Sequence, residues 1–285
     1  MRAMASRPAA QQQPQPQALA RARARALIQS RCRRSAPRGA APLDTRRTLS
    51  RSAAQRVYDR AGQTVDDSGS SYGRNAVAAL RAALAHAVVD ERVRHVLEVG
   101  SGSGKLAAQL LGDELAPACQ RYTCVDLSSV QASNARTRLR GDTRAVVVET
   151  DGSQAAAFAA AQEGGPLDLV VSTYMLDLLS DSDVRAFFAE ARTSLRPGGV
   201  LALAGLSPPP EEAGVARRIA AAVWALIHSL TPHVVGGCRA QALAPYAEGA
   251  GFEVLERAVV CGEGEDFLGL LCSEVLVARR PPAGE

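Results

Sequence analysis

The chain has 285 residues, room for one large or two small domains, and 47% of them are hydrophobic, enough to form a core. Its net charge of +4 is unevenly spread: residues 1–56 hold thirteen arginines against a single acid, Asp44, a net +12, so the rest of the chain carries −8. An acidic body speaks against binding nucleic acid through a general basic surface, and no uncharged apolar run of about 18 residues predicts a membrane span.

Six cysteines (32, 119, 124, 238, 261 and 272) show neither a C-x-x-C pair nor His/Cys metal spacing. They are expected mostly as buried, reduced residues, which argues against a zinc site and a disulfide scaffold.

Residues 1 to about 50 are rich in Ala, Arg, Gln, Pro and Ser. That is a transit-peptide composition, and the apolar stretch of a secretory signal is missing. Ala18–Gln29 can form a basic amphipathic helix; a disordered basic tail that binds RNA is the alternative. The Pro/Gln/Ser content favours a chloroplast over a mitochondrion, with cleavage between about Ser35 and Ala54. Residues 1–50 are therefore set aside as a leader and 51–285 as one folded domain. Tyr58 to Tyr72 is polar and Gly/Ser-rich, and reads as a linker. Asn75–Val89 follows with helical spacing of Val77, Leu80, Ala83, Leu84 and Val88.

Val93–Val99 is a short apolar strand containing Glu98 and ending at three alternating glycines, Gly100, Gly102 and Gly104. A helix, Lys105–Leu115, comes next. Glycines there allow a tight turn and close approach of a ligand, whose partners are amides at the helix start. A triphosphate-binding loop would need Gly at Val99 and a hydroxyl at Leu106. A dinucleotide fingerprint would need a small residue at Lys105.

Tyr122–Asp126 is a second strand ending in an acid. Ser128–Leu139 is a helix capped by Ser128 or Ser129, with Arg136, Arg138 and Arg140 on its solvated face; Asp126 itself is a competing cap. Ala145–Asp151 is a third strand, with Gly152 after it. An Ala-rich helix, Gln154–Gln162, is broken by Gly164-Gly165-Pro166. Leu167–Val171 is the fourth strand, with Ser172, Thr173 and Tyr174 at its C-terminal edge. A helix Asp183–Leu195 capped by Ser182, a turn Arg196–Gly199 and a fifth strand Val200–Leu206 follow. After Pro208–Pro210 comes a long helix, Glu211–Leu230, carrying Ile219, Val223, Trp224, Ile227 and His228. Then come a Pro/Gly-bounded loop with His233 and Arg239, a short helix Ala240–Ala250, and two strands, Gly251–Cys261 and Ser273–Arg280.

The pattern E-x-G-x-G-x-G at Glu98–Gly104, the acids ending three strands, and the run from "STYMLDLLS" to "LRPGG" resemble the class I S-adenosylmethionine (SAM) methyltransferases over about residues 90–206. The resemblance implies a Rossmann-like α/β fold. Its seven-stranded sheet is mostly parallel, with an antiparallel C-terminal hairpin and helices on both faces. It implies SAM as cofactor. Gly100, Ser101, Gly102 and Gly104 would run under the methionine part, with Glu98 near its amino group. Asp126, with Leu127 beside it, would hold the ribose, Asp151 and Gly152 would lie by the adenine, and Ser172 would stand where methyl and substrate meet. The region before the sheet would fold over the cofactor, making Tyr58, Tyr72 and Arg74 rim residues.

This class has no universal catalytic residue; a base is needed only where the acceptor keeps its proton. Candidates are Tyr174, His228 and His233, with Asp177 and Glu274. His228, one helical turn from Trp224, reads more readily as a core or rim histidine than as a base. Arg239 can meet an acidic substrate or form a salt bridge. Three functions compete. The first is methylation of a small organic acceptor, a quinone ring among the possible ones. The second is methylation of protein or nucleic acid, for which Asn/Asp-Pro-Pro-Tyr is missing at Ser172–Met175. The third is a non-catalytic SAM-fold protein that binds a partner. No metal and no nucleic-acid partner is expected, and the oligomeric state stays open.

Overall fold

The computed structural model describes residues 48–62, 71–88, 93–113, 115, 118–263 and 267–282. The chain divides into two units, Met1–Arg34 and Ser35–Glu285, and every described residue belongs to the second. The proposed leader, with its helix Ala18–Gln29, lies outside the described residues except for 48–50.

Two helices precede the sheet, α1 (Arg51–Ala61) and α2 (Ser71–Ala87). Strands and helices then alternate. β1 (His95–Val99) leads to α3 (Lys105–Gly112), β2 (Arg121–Asp126) to α4 (Ser129–Arg138) and β3 (Ala145–Glu149) to α5 (Gln154–Ala159). β4 (Leu167–Thr173) leads to α6 (Asp181–Ser194) and β5 (Leu195–Ser207) to α7 (Val215–Leu230). The chain ends in α8 (Ala244–Gly249) and the hairpin β6 (Glu253–Cys261) and β7 (Cys272–Arg279).

The sheet order is β3-β2-β1-β4-β5-β7-β6, and β7 runs antiparallel to both neighbours. This is the expected seven-stranded sheet. The chain winds outward from β1 through β2 and β3, then returns to β4 on the other side of β1. The strand order therefore reverses between β1 and β4, and the crevice beyond their C-terminal ends is where open α/β sheets bind ligands.

Leu167–Ser172 are all buried, as a central strand with both faces covered requires. On one face Phe158, Phe187, Phe188 and Phe252 pack edge to face, with centroids 5.6 to 6.3 Å apart. On the other, α2 buries Leu80, Ala83 and Leu84 against β5–β7. At the N-terminal edge Asp168 joins three strands. It accepts from the Arg94 and His95 amides at 2.7 and 2.9 Å and from Arg196 Nε at 2.6 Å.

Several boundaries differ from the sequence reading. α1 was not foreseen. α2 starts at Ser71, so Tyr72 and Arg74 stand in its first turn rather than in a linker. α6 is capped by Ser180, whose hydroxyl accepts from Asp183 N at 3.1 Å, and Ser182 lies inside the helix. α7 starts at Val215, because Ala213 N closes a turn on Pro210 O and Gly214 is extended. α8 starts at Ala244, because the Gln241 and Leu243 amides are held by Leu206 O and the Glu274 carboxylate. Arg196–Gly199 does not reverse the chain; β5 runs through it, with a register shift opposite Leu167/Leu169.

Cys261 and Cys272 face each other across the β6–β7 register and form a disulfide. This corrects the expectation of reduced thiols for that pair. Cysteine spacing along the chain does not show it; the hairpin register does. Cys119, Cys124 and Cys238 remain thiols.

Candidate cofactor site

The crevice is built on the turn that follows β1. Gly100 N and Ser101 N both donate to Val125 O, at 2.8 and 3.0 Å, which folds the turn over the end of β2. At Gly100 (φ +73°) a Cβ would stand 2.6 Å from the Met175 side chain, so only glycine lets the segment after β4 lie on the turn. At Gly102 (φ +52°) the space a Cβ would enter is empty. Its N–H donates to Asp126 Oδ2 at 2.8 Å. Gly104 starts α3 with no side-chain cap, which leaves the first amides of that helix without an intrahelical partner. Arg138, exposed as expected, also donates to Ser103 O at 2.7 Å and holds the turn from α4.

Asp126 also accepts from Ser128 N at 2.8 Å. Burial pushes its carboxyl above the usual range, against the pull of these amide bonds. The cap of α4 is Ser128, whose hydroxyl accepts from Gln131 N, so Asp126 is not the helix cap. Beyond it, Leu127 lies 3.2 Å from the position a Cβ would take on Gly152 (φ +75°). Asp151 is exposed and is held below the usual range by the Ser153 hydroxyl and amide.

Two expected ligand residues lie deeper. Glu98 is 1% exposed, beneath the turn, and accepts from Tyr122 OH at 2.7 Å. Burial raises its pKa to about 8, so it is largely uncharged at neutral pH. Ser172 donates to Val99 O at 2.8 Å, which ties β4 to β1 and commits its hydroxyl to the crevice floor.

α1 covers the crevice. Asp59 accepts from Ser128 Oγ, and Gly62 O accepts from Gln131 Nε2 at 2.8 Å. On the other side Tyr58 OH reaches Gly236 O at 3.5 Å and Cys238 Sγ at 4.0 Å, and Leu49 packs on Gly237. Sequence reading missed Asp59, Ser128 and Gln131 as partners. The available signal was Ser50 ahead of a helical pattern with Val57 and Tyr58 on one face; its arginines read as leader.

The base candidates separate clearly. Tyr174, the non-glycine residue at positive φ (+54°) among the described residues, shares a 2.7 Å hydrogen bond with Ser273 Oγ and meets the edge of Tyr72 at 6.0 Å. His228 Nε2 lies 3.2 Å from Gly237 O, and burial lowers its pKa, so it is a neutral strut for the loop. His233 is exposed on the next turn. Arg239 is buried and clasps Leu179 O and Asp181, which leaves the salt-bridge reading. Glu274 is engaged by Leu243 N and Arg257.

Asp177 differs from these. It is 1% exposed, has one bond of 3.4 Å from Leu206 N, and its Oδ1 has no partner. Burial raises its pKa to about 7. Tyr58, Tyr174 and Cys238 lie within its electrostatic reach. Among the described residues no group of His, Cys, Asp and Glu could hold a metal, and no helix is long and apolar enough to cross a membrane.

A family model described as a methyltransferase domain matches residues 97–201. The search of curated proteins gives no match. Among solved structures, the N-methyltransferase NodS from Bradyrhizobium japonicum WM9, in complex with S-adenosylhomocysteine, is 17% identical with a TM-score of 0.56, over 80% of this chain and 98% of that one. The cyclase SpnF is 17% identical with a TM-score of 0.56, over 83% and 98%. Magnesium protoporphyrin IX methyltransferase from Synechocystis PCC 6803, with S-adenosylhomocysteine bound, is 18% identical with a TM-score of 0.53, over 80% and 99%. At these identities the likeness is one of fold.

Proposed function

We propose that this chain, matched over residues 97–201 by a methyltransferase-domain model and folded like the class I methyltransferases, binds SAM and transfers the methyl group to a small organic acceptor. The observation that carries this reading is the pairing of Asp126 with the Gly102 amide beside open space at the sheet's switch point. The arrangement offers a carboxylate to two ribose hydroxyls and bare backbone to the chain beyond them. Leu127, Gly152 and Asp151 then flank the adenine, and the Gly100–Gly104 turn underlies the methionine part.

SAM supplies a methyl group already activated on a sulfonium. The remaining work of the chain is to align the acceptor and exclude water. α1 does the covering, pinned at Ser128 and Gln131 on one side and at the 236–238 loop on the other. Glu98, neutral under the turn, gains charge when an ammonium group approaches. Tyr72, Tyr174, Tyr58 and Asp177 border the acceptor side, and Asp177 Oδ1 is free to take a hydrogen bond or a proton from an acceptor hydroxyl or amine.

The acidic body supports a small acceptor over nucleic acid. The cyclase among the similar folds supports one second reading, the same cofactor fold without methyl transfer. The Pro/Gln/Ser content of residues 1–50 supports import into a chloroplast, which a fluorescent fusion of residues 1–50 tests by its location.

Calorimetry on the full chain tests the cofactor. Micromolar SAM affinity, about −8 kcal/mol, is expected, with no comparable binding of NAD or ATP; tight NAD binding overturns the reading. Incubation with methyl-labelled SAM and metabolite extract from a knockout should label a small molecule. Label in RNA or protein alone overturns the acceptor class.

A further inference from the structure

α7 is apolar on two opposite sides. Its inner side seats Ala220, Trp224 and His228 against the body. Its outer side carries Val215, Ile219, Val223, Leu226 and Leu230, exposed by 72, 58, 39, 58 and 64%. These residues sit at i, i+4, i+8, i+11 and i+15, one straight stripe along the helix. Ala216, Arg218 and Ala222 flank it, also exposed. Single exposed apolar residues need no explanation, but a stripe along a whole helix does.

We propose that this stripe is the interface of a two-fold symmetric dimer, in which α7 packs antiparallel against α7 of a second copy. Area supports it. At roughly 100 Å² exposed on each of five large side chains, two copies bury about 1,000 Å² before the flanking residues are added, which reaches the size of a specific interface. The surface is self-complementary. The alternation of Ala216 and Ala222 with larger residues gives ridges and grooves at the four-residue spacing that helix pairs interdigitate.

Charge supports it as well. No acid occurs between Glu212 and Glu248, so like carboxylates do not meet across the helices. With the axis near Val223, the stripe's centre, Arg218 of each copy falls beside the last turn of the partner helix, where the negative end of the helix dipole favours a cation. A lipid surface fits less well. Glu211 and Glu212 stand at the start of the helix, and the body carries −8 beyond residue 56, both repelled by anionic headgroups.

The dimer would also bear on the crevice. On its inner side α7 holds the 237–238 backbone through Trp224 Nε1 to Cys238 O, 2.9 Å, and through His228 to Gly237 O. That loop is the one Tyr58 reaches from α1. Fixing α7 from outside therefore steadies one of the two anchors of the cover.

The full chain, 29.8 kDa, should sediment near twice that mass at tens of micromolar, with or without SAM, so a failure here is distinct from a failure of the cofactor reading. The double variant Ile219→Glu/Leu226→Glu should sediment as a monomer with an unchanged far-ultraviolet spectrum. Val223→Cys, at the axis, should cross-link to its own copy when oxidised with diamide. Val215→Cys, about 24 Å from its counterpart by 1.5 Å rise per residue, should not. A monomeric parent overturns the proposal. So does a double variant that stays dimeric, or a monomer that floats with phosphatidylcholine/phosphatidylglycerol vesicles.

Discussion

Asp168 and Asp177 stand at the two ends of β4, and their surroundings are opposite. Asp168, at the N-terminal edge, is met by two amides and Arg196. Burial alone would raise its pKa, but these donors outweigh it and hold the carboxyl below its ordinary range. Asp177, past the C-terminal edge, is at least as buried, yet one oxygen has no partner and burial lifts it to about 7. Glu98, near the same edge, is lifted to about 8. One end of the sheet is electrostatically complete; the other leaves demands unmet. A folded chain tolerates such demands where a ligand will meet them, which is why the C-terminal edge reads as the working end.

The largest expected effect is a pH dependence of opposite sign at the two edges. Glu98 and Asp177 have folded pKa values above their ordinary 4.5 and 3.8. Their contribution is fully present below those ordinary values and is lost as pH rises toward 7 and 8. Asp168 is lowered, so its contribution is present above 3.8 and is lost only as pH falls through its folded value. The SAM-free protein should therefore lose stability between pH 5 and 8, by on the order of 6 kcal/mol. Melting curves across that range check it, and Glu98→Gln should flatten them. Melting curves flat in the parent would erase the contrast. SAM should reverse part of the loss by favouring ionised Glu98. Calorimetry at pH 7 in buffers of different ionisation heat should show a proton released on binding.

Asp168→Ala tests the complete end. It strands two amides and the Arg196 guanidinium and should cost about 3 kcal/mol, lowering Tm by roughly 6–12 °C for a domain of this size. SAM affinity of the folded variant should be unchanged. A large loss of affinity with little loss of stability would reverse the roles of the two edges.

The strands were legible because each is a short apolar run closed by a turn signal, whereas the sheet with its antiparallel hairpin came from the family resemblance and the strand order comes from the structure. Gly100, Gly102 and Asp126 were legible because the turn needs glycine and the strand end needs an acid. The partners of the turn were not. Arg138 is the exposed helix residue it looks like, but its bond to Ser103 shows only once α4 is placed against the turn, and Asp59 looks like linker until α1 is laid over Ser128. Ser172 and Glu98 were placed at the right edge, but which hydroxyl is committed and which carboxyl is covered depend on pairings 73 and 24 residues apart. The disulfide was missed for the same reason: Cys261 and Cys272 meet only through strand register.

Asp126→Ala comes next in size. Removing its carboxylate should weaken SAM binding by roughly tenfold to several hundredfold, as one or two charge-assisted bonds are lost. Because Asp126 also holds the Gly102 and Ser128 amides, stability should fall by about 1–2 kcal/mol as well. Asp126→Asn keeps one accepting oxygen and should lose less on both counts. A stability loss with affinity intact would make Asp126 a structural acid like Asp168.

The smallest effect, and the most discriminating, is expected at Asp177. Its amide isostere needs no proton to stay neutral, so Asp177→Asn should leave stability within about 0.5 kcal/mol of the parent below about pH 4, where Asp177 is protonated in both states. At pH 8 the parent has lost what the raised pKa contributed, and the variant has not. The difference should grow in the variant's favour as pH rises through 7. SAM affinity should not change if Asp177 lies on the acceptor side, as proposed. Once an acceptor is known, its turnover should fall if Oδ1 takes a hydrogen bond or proton from it, and the limb of the pH–rate profile near 7 should vanish with the carboxyl. If Asp177→Asn instead lowers Tm equally at both pH values, the bond from Leu206 N is a structural requirement, and Asp177 belongs with Asp168. The two ends of β4 would then differ in degree only, and the acceptor side would have to find its polar contact among Tyr58, Tyr72 and Tyr174.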